Sequence, residues 1–334
     1  MRKNNIYLKR VYADVLYDVT RRLDKAYRFY FRERKKGNYN FGKPKFKKWV
    51  KYSSFTYTTP GRRKIPHKFR IDNKQLYLGK IGFVKIIIDR SLPLNAKMKT
   101  CTIKRDVNHW YACIDCELNQ SIETRKIVFT KAIGIDVGLY HYGTLSNGEQ
   151  IVNPLWLREK EMKLAREQIH LSRKVYGSKN WEKQAIKVAI IHRKIRNQRR
   201  DYLHKISSEI VEKYDIICLE KIMIQNIVKN RRLAKSINDA SWGIFKRMLQ
   251  YKAAECGKKV VLVPPHNTSQ ICCMCGKKVK KEIGRKWHKC PDCLVVLHRY
   301  VNASRNILKK GLELLQSSND ITTERVGCAR GVTS

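Results

Sequence analysis

Two C-x-x-C pairs, Cys272 with Cys275 and Cys290 with Cys293, flank a short basic insert near the end of the chain. Each pair forms a tight turn that presents two thiolates to one side. Two such turns close a tetrahedral four-cysteine zinc site, a zinc ribbon. Four soft thiolates select Zn²⁺ over the hard cations Mg²⁺ and Ca²⁺. Cys273 lies inside the first turn and is read as a spectator.

Charge narrows the partner. The 334 residues include 72 lysines and arginines against 28 acids, a formal net charge of +44. An enzyme acting on small molecules has no use for such an excess; a polyanion does, and nucleic acid is the leading class. An anionic membrane surface is the weaker alternative, because no run approaches the roughly 18–20 apolar residues of a span and no signal peptide opens the chain. Hydrophobic residues make up 43 %, enough for packed cores in two or three domains. Cysteines in metal-type rather than framework spacing suit a reducing, cytoplasmic compartment.

From the N-terminus, residues 6–34 carry an apolar stripe (Leu8, Val11, Val15, Leu16, Val19, Leu23, Ala26, Tyr30) at helical spacing. Gly37, Gly42 and Pro44 end it. Between 46 and 130 the period shortens to that of strands, at 54–58, 68–71, 75–78, 83–88, 98–104 and 110–118. Closely spaced short strands predict a small β-barrel of the oligonucleotide-binding type. Cys113 and Cys116 fall within one strand, where residues three apart face opposite sides, and are read as structural.

A new domain opens at residue 131. Ala132-Ile133-Gly134-Ile135-Asp136-Val137-Gly138 is a buried strand carrying an acid, followed by a hairpin partner at 142–148. Taken alone, such an aspartate also serves to cap a turn. Residues 154–210 form two basic helices around a turn at Gly177-Ser178. Their cations, among them Arg193, Arg196, Arg199 and Arg200, repel one another unless phosphates neutralise them. Asp215-Ile216-Ile217-Cys218-Leu219-Glu220 is a second buried strand ending on an acid, and burying that carboxylate without a partner is costly. A helix beginning near Trp242, preceded by Arg231, Arg232 and Lys235, and a strand at 259–263 lead into the ribbon. Beyond it come His298-Arg299-Tyr300-Val301-Asn302-Ala303 and a last helix.

In combination these segments resemble the TnpB (OrfB) family of insertion-sequence proteins, relatives of the single-protein CRISPR effectors that cut with a RuvC-type domain. The run Asn197 to Lys205 and the phrase Lys99 to Asp106 followed by Trp110-Tyr111 add to the likeness. The family block reads approximately C-P-x-C-G, a few residues, then D-R-D-x-N-A-A-x-N-I. Here Leu294 stands for the glycine, and His298 and Tyr300 for the two aspartates. Family members usually carry further N-terminal segments, so the short N-terminus is either native or a truncation.

The resemblance implies a multidomain α/β protein. It would comprise a helical recognition remnant (1–45), a β-barrel wedge domain (46–130) and an RNase H-like (RuvC) core (131–267) with a basic helical insert at 154–210. The inserted zinc ribbon would follow (268–296), then the last core helix and tail (297–334). It implies catalytic carboxylates at Asp136 and Glu220, the third position being held by Tyr300. It implies nucleic-acid contacts from Arg193, Arg196, Arg199, Arg200, Arg231, Arg232 and Lys235, structural zinc on Cys272, Cys275, Cys290 and Cys293, and Mg²⁺ at the carboxylates only if the site is active. A guide RNA from the element's end and a double-stranded DNA target are the implied partners. A phenol is a poor Mg²⁺ ligand, so the expected function is RNA-guided DNA binding with an impaired nuclease. An active endonuclease with a nonstandard third ligand and a nonfunctional insertion-sequence remnant are the alternatives.

Overall fold

The computed structural model describes residues 5–45, 52–58, 68–89, 91–92, 96–118, 131–154, 156–221, 241–280 and 286–317. The chain divides into two compact units, one within Met1–Gln120 and the other within Ser121–Ala329. No helix among the described residues is long and apolar enough to cross a membrane.

The N-terminal unit begins with α1 (Ile6–Arg10) and α2 (Ala13–Lys35). The apolar stripe over 6–34 predicts one helix, but the chain extends at Val11 and Tyr12 between the two. The break seats the Tyr12 ring 5.5 Å from that of Tyr57 and against Gly79, where a Cβ would lie 2.7 Å from the ring. Side-chain packing thus outweighs one continuous helix. The strands are β1 (Ser54–Thr58), β2 (Phe69–Asp72), β3 (Gln75–Leu78), β4 (Gly82–Lys85), β5 (Lys97–Asp106) and β6 (His109–Glu117). They pair as two antiparallel sheets, β1-β5-β6 and β2-β3-β4. One core of Tyr57, Phe69, Leu76, Leu78, Cys101 and Ile103 lies between them. Among the described residues no ladder joins the two sheets into a closed barrel.

The second unit is built on a five-stranded mixed sheet. Strands β7 (Ala132–Val137), β8 (Gly143–Leu145) and β9 (Gln150–Ile151) form an antiparallel meander. Helices α3 (Trp156–Ser172) and α4 (Lys179–Lys213) follow, then β10 (Ile216–Glu220), α5 (Trp242–Glu255) and β11 (Lys259–Val263). β10 lies parallel to both β7 and β11, giving the order β11-β10-β7-β8-β9. The ribbon hairpin β12 (Trp287–Lys289) and β13 (Val296–His298) leads directly into α6 (Arg299–Ser317).

Alternation assigns the two faces of the sheet. Ile133, Ile135, Ile217 and Leu219 pack with Leu203, Ile210, Phe245 and Leu249 of α4 and α5. Ile216 and Cys218 pack with Ile307 of α6 on the other face. A strand buried on both faces reads as the unbroken apolar run seen at 216–219. α6 comes unusually close to the sheet. A Cβ on Gly134 would fall on the Ser304 carbonyl oxygen and lie 2.8 Å from the Leu308 nitrogen, and one on Gly311 would meet the Cys218 side chain.

Gly134→Ala therefore forces helix and strand apart. The expected loss is about 1–3 kcal/mol of stability, the usual range for overpacking a filled core. Thermal or urea unfolding measures it, and an unchanged midpoint would contradict this packing.

Candidate metal centre and nucleic-acid site

The two cysteine turns have the same construction. Cys272 N–H donates to Lys277 O at 2.9 Å and Cys290 N–H donates to Val295 O at 3.0 Å. The residue following each second cysteine takes left-handed backbone, with φ of +78° at Gly276 and +58° at Leu294. The four sulfurs of Cys272, Cys275, Cys290 and Cys293 all lie within 4.8 Å of one another. Cys272 to Cys293 is 3.6 Å and Cys275 to Cys290 is 3.5 Å. Zn–S bonds of ~2.3 Å in a tetrahedron require sulfur separations of about 3.8 Å, so the quartet fits zinc. Backbone N–H groups of Cys293 and Asp292 lower the Cys290 thiol, whereas burial and the neighbouring sulfurs raise those of Cys275 and Cys293. Among the described residues no other group of three or more Cys, His, Asp or Glu side chains comes together in this way, and Cys273 lies outside the quartet.

Two asparagines of α6 fasten the ribbon to the core. Asn302 accepts from Cys273 N–H at 2.9 Å and donates to Ile271 O at 2.8 Å. Asn306, one turn on, donates to Thr268 O at 2.9 Å and to Ile271 O at 2.7 Å. Both are buried, at 0 % and 5 % exposure. Buried amides demand such partners, and i, i+4 spacing puts both on one helix face. Thr268 then donates through its hydroxyl to Glu220 Oε1 at 2.7 Å. The asparagines stand out in the sequence as a motif without a role; nothing in it marks Thr268 as a partner of Glu220.

Asp136 and Glu220 share one end and one face of the sheet. The β7–β10 register pairs Leu219 with Ile135, so the next rung sets Glu220 beside Asp136. By alternation both point to the face that α6 covers. Tyr300 sits in the first turn of α6, which contains no acid. Its ring centroid is 5.1 Å from that of His298, and the Arg299 guanidinium is 5.3 Å from the Tyr300 ring. Burial lowers the His298 pKa, aided by His141, Lys286 and Arg299, so this imidazole is neutral at pH 7. Two other acids lie near in sequence. Asp292 is paired with Lys277 at 2.7 Å, and Glu313 is exposed far along α6. The residues around Tyr300 therefore do not fit a second Mg²⁺, which needs hard anionic oxygens rather than a phenol, an imidazole and a guanidinium.

The basic helix divides its arginines. Arg196 and Arg200 are exposed and Arg199 is half-buried. Arg193 is only 8 % exposed, although its helical phase sets it on the side of α4 opposite Ile191 and Ile195. Arg231, Arg232 and Lys235 lie outside the described residues.

Comparison with known proteins covers most of the chain. The family profile OrfB_IS605, described as "Probable transposase", matches residues 114–231. The profile of the Cas12f1-like TNB domain matches residues 242–307. A Streptomyces pristinaespiralis protein provisionally named an RNA-guided DNA endonuclease is 34 % identical over 293 residues, spanning 86 % of this chain and 71 % of its own length. The InsQ protein of Escherichia coli K12, provisionally given the same activity, is 29 % identical over 91 % of this chain and 75 % of its own length. Among solved structures, Cas12f1 in its complex with single-guide RNA and target DNA shares the fold, with a TM-score of 0.50 and 16 % identity, over 83 % of this chain and 67 % of that one.

Leu294 occupies backbone that costs an L-residue about 1 kcal/mol and glycine almost nothing. Its side chain is 79 % exposed and makes little packing to offset that. Leu294→Gly is expected to tighten the ribbon by roughly that amount. The change would appear as slower zinc loss to a chelator and a higher unfolding temperature. Faster zinc loss would show that the leucine stabilises the turn.

Proposed function

The chain belongs to the TnpB (OrfB) family of insertion-sequence proteins, and we propose that it is an RNA-guided DNA-binding protein whose RuvC-type nuclease is impaired. In this reading the five-stranded sheet is the RNase H-like core, its meander running from the acid-bearing first strand. The 46–130 segment is the wedge domain. A guide RNA reads the target by base pairing, and the protein supplies charge and a scaffold. The net charge of +44 and the exposed Arg196 and Arg200 of α4 support a polyanionic partner.

The observation that carries the impaired-nuclease reading is Tyr300 in the first turn of α6. Two-metal phosphodiester cleavage needs a cluster of carboxylates to hold two ions about 3.5–4 Å apart. Asp136 and Glu220 supply two, and Thr268 orients one of them. At the third position a phenol meets the Arg299 guanidinium, which adds positive charge, and the neutral His298 imidazole, where an anion is required. Binding by base pairing and phosphate contact does not use that carboxylate, so loss of cleavage leaves recognition intact.

The test begins with the purified full-length chain: the co-purifying RNA is sequenced, and binding and cleavage of a matched plasmid are measured. The expected result is a bound element-derived RNA, target binding and little cleavage. Absence of any specific RNA, with no matched binding, would overturn the reading.

Tyr300→Asp should raise Mg²⁺-dependent cleavage by orders of magnitude, since several kcal/mol of transition-state stabilisation are at stake and each ~1.4 kcal/mol is tenfold. Asp136→Ala in that background should abolish the gain. If the natural protein already cuts at a rate that Tyr300→Asp does not improve, another ligand has taken over.

A further inference from the structure

Thr268 belongs to neither the cysteine quartet nor the carboxylate pair, yet it touches the structure that joins them. It lies just ahead of Cys272 and is 4 % exposed. Its hydroxyl meets Glu220 Oε1 at 2.7 Å across 48 residues of chain. A carboxylate accepts and cannot donate, so the hydroxyl is the donor. That distance is typical of a charge-assisted O–H···O⁻ bond, and a carboxylate held at Oε1 is no longer free to rotate. The backbone around Thr268 is held in turn by one row of α6. Asn302, Asn306 and Lys310 follow at i, i+4 and i+8, on one face. Lys310 Nζ donates to His266 O, Asn306 to Thr268 O and Ile271 O, and Asn302 to Ile271 O while accepting from Cys273 N–H. Asn267 takes left-handed backbone, with φ of +60°, and its carbonyl closes a turn on the N–H groups of Gln270 and Ile271, both at 3.1 Å. The backbone that aims the Thr268 hydroxyl therefore runs without slack into the first cysteine turn.

We propose that Thr268 is a positioning residue through which zinc on the ribbon sets the affinity of the Asp136–Glu220 pair for a divalent cation. The proposal rests on the reading of that pair as the carboxylates of a RuvC-type core. Two anionic oxygen donors suit one hard cation, Mg²⁺ or Mn²⁺; the groups around Tyr300 bear on a second ion only. Groups that hydrogen-bond a metal's ligands change its affinity by about 10–100-fold. Coupling between two binding sites is reciprocal, so a cation on the carboxylates must also make zinc harder to remove.

The probe is Mn²⁺, whose free aqueous ion gives an electron paramagnetic resonance signal that binding removes. It is titrated into the full-length, zinc-loaded protein, and Asp136→Ala identifies the part bound at the carboxylate pair. Thr268→Val keeps the shape of the side chain and deletes the donor; it should weaken Asp136-dependent Mn²⁺ binding about tenfold or more. Thr268→Ser keeps the hydroxyl and should restore most of the affinity. Cys290→Ser, which loses zinc, should weaken Mn²⁺ binding as Thr268→Val does. The two together should add little to either alone, because both cut one path. In the reverse direction, saturating Mn²⁺ should slow zinc loss to a zinc-selective chelator in the natural protein and leave it unchanged in Thr268→Val.

Zinc content and unfolding temperature establish that the variants fold. If Cys290→Ser does not, Asn306→Ala takes its place: it frees the Thr268 carbonyl while leaving the quartet whole, and should weaken Mn²⁺ binding at full zinc content. Mn²⁺ affinity unchanged in Thr268→Val, or weakened as much in Thr268→Ser, would overturn the positioning role. Additive losses in the double variant would overturn the path from zinc. Absence of any Asp136-dependent binding refutes the pair as a cation site and the coupling with it. The guided function fails separately. A chain that carries no guide RNA yet binds Mn²⁺ through Thr268 refutes that function alone, and a guided complex whose Asp136-dependent site ignores Thr268 refutes the coupling alone.

Discussion

The close approach of the last helix to the sheet is the contact on which the rest of the second unit depends. Glycine at 134 and at 311 removes the two Cβ atoms that would hold helix and strands apart. The helix then lies near enough for Ile307 to fill the space against Ile216, Cys218 and Val263. The same approach brings Asn302 and Asn306 against the backbone entering the ribbon. Apolar contact fixes the helix, and the amides fix what the helix holds.

This arrangement joins two sites that look independent in the sequence. From the metal quartet the path runs through Cys273 and Ile271 to Asn302 and Asn306, then to Thr268, and from its hydroxyl to Glu220. The Asn306 to Thr268 link is a buried hydrogen bond and the others are part-buried, and leaving a buried donor unmet costs about 1–3 kcal/mol. Zinc on the quartet would therefore do more than close its own loop. By holding the 268–273 backbone in place, an ion on the quartet would also hold the hydroxyl that meets the Glu220 carboxylate.

The elements were legible where one physical signal dominated. The strands at 132–137 and 216–220 are apolar runs buried on both faces, and the ribbon is a spacing that only metal geometry explains. Legibility failed where a long-range contact overrode local pattern. The stripe over 6–34 has helical period throughout, yet Tyr12 leaves the helix to pack on Tyr57. Arg193 sits in a basic run, yet it is buried, on the side of its helix opposite Ile191 and Ile195. Thr268 has no sequence mark because its role comes entirely from where the last helix places it.

The two departures from the family block at 294 and 300 differ in physical kind. Leucine at 294 strains one backbone position on the surface and changes no chemistry. Tyrosine at 300 exchanges an anion for a neutral ring in a neighbourhood that already holds Arg299 and His298. Two carboxylates about 5 Å apart repel by about 3 kcal/mol at an effective dielectric of 20, so a site built to bind divalent cations is under tension without them. In this chain Asp136 and Glu220 are relieved of a third like charge, and Glu220 receives a hydroxyl donor from Thr268. In the proposed reading, the substitution would lower the electrostatic cost of the site when no ion is bound and weaken the attraction for a second ion. The same exchange leaves the glycine contacts, the asparagine clamp and the ribbon intact, because none of them passes through residue 300. In the proposed reading chemistry and scaffold are separable, since residue 300 lies at the start of the last helix, ahead of the buried stretch that begins at Asn302.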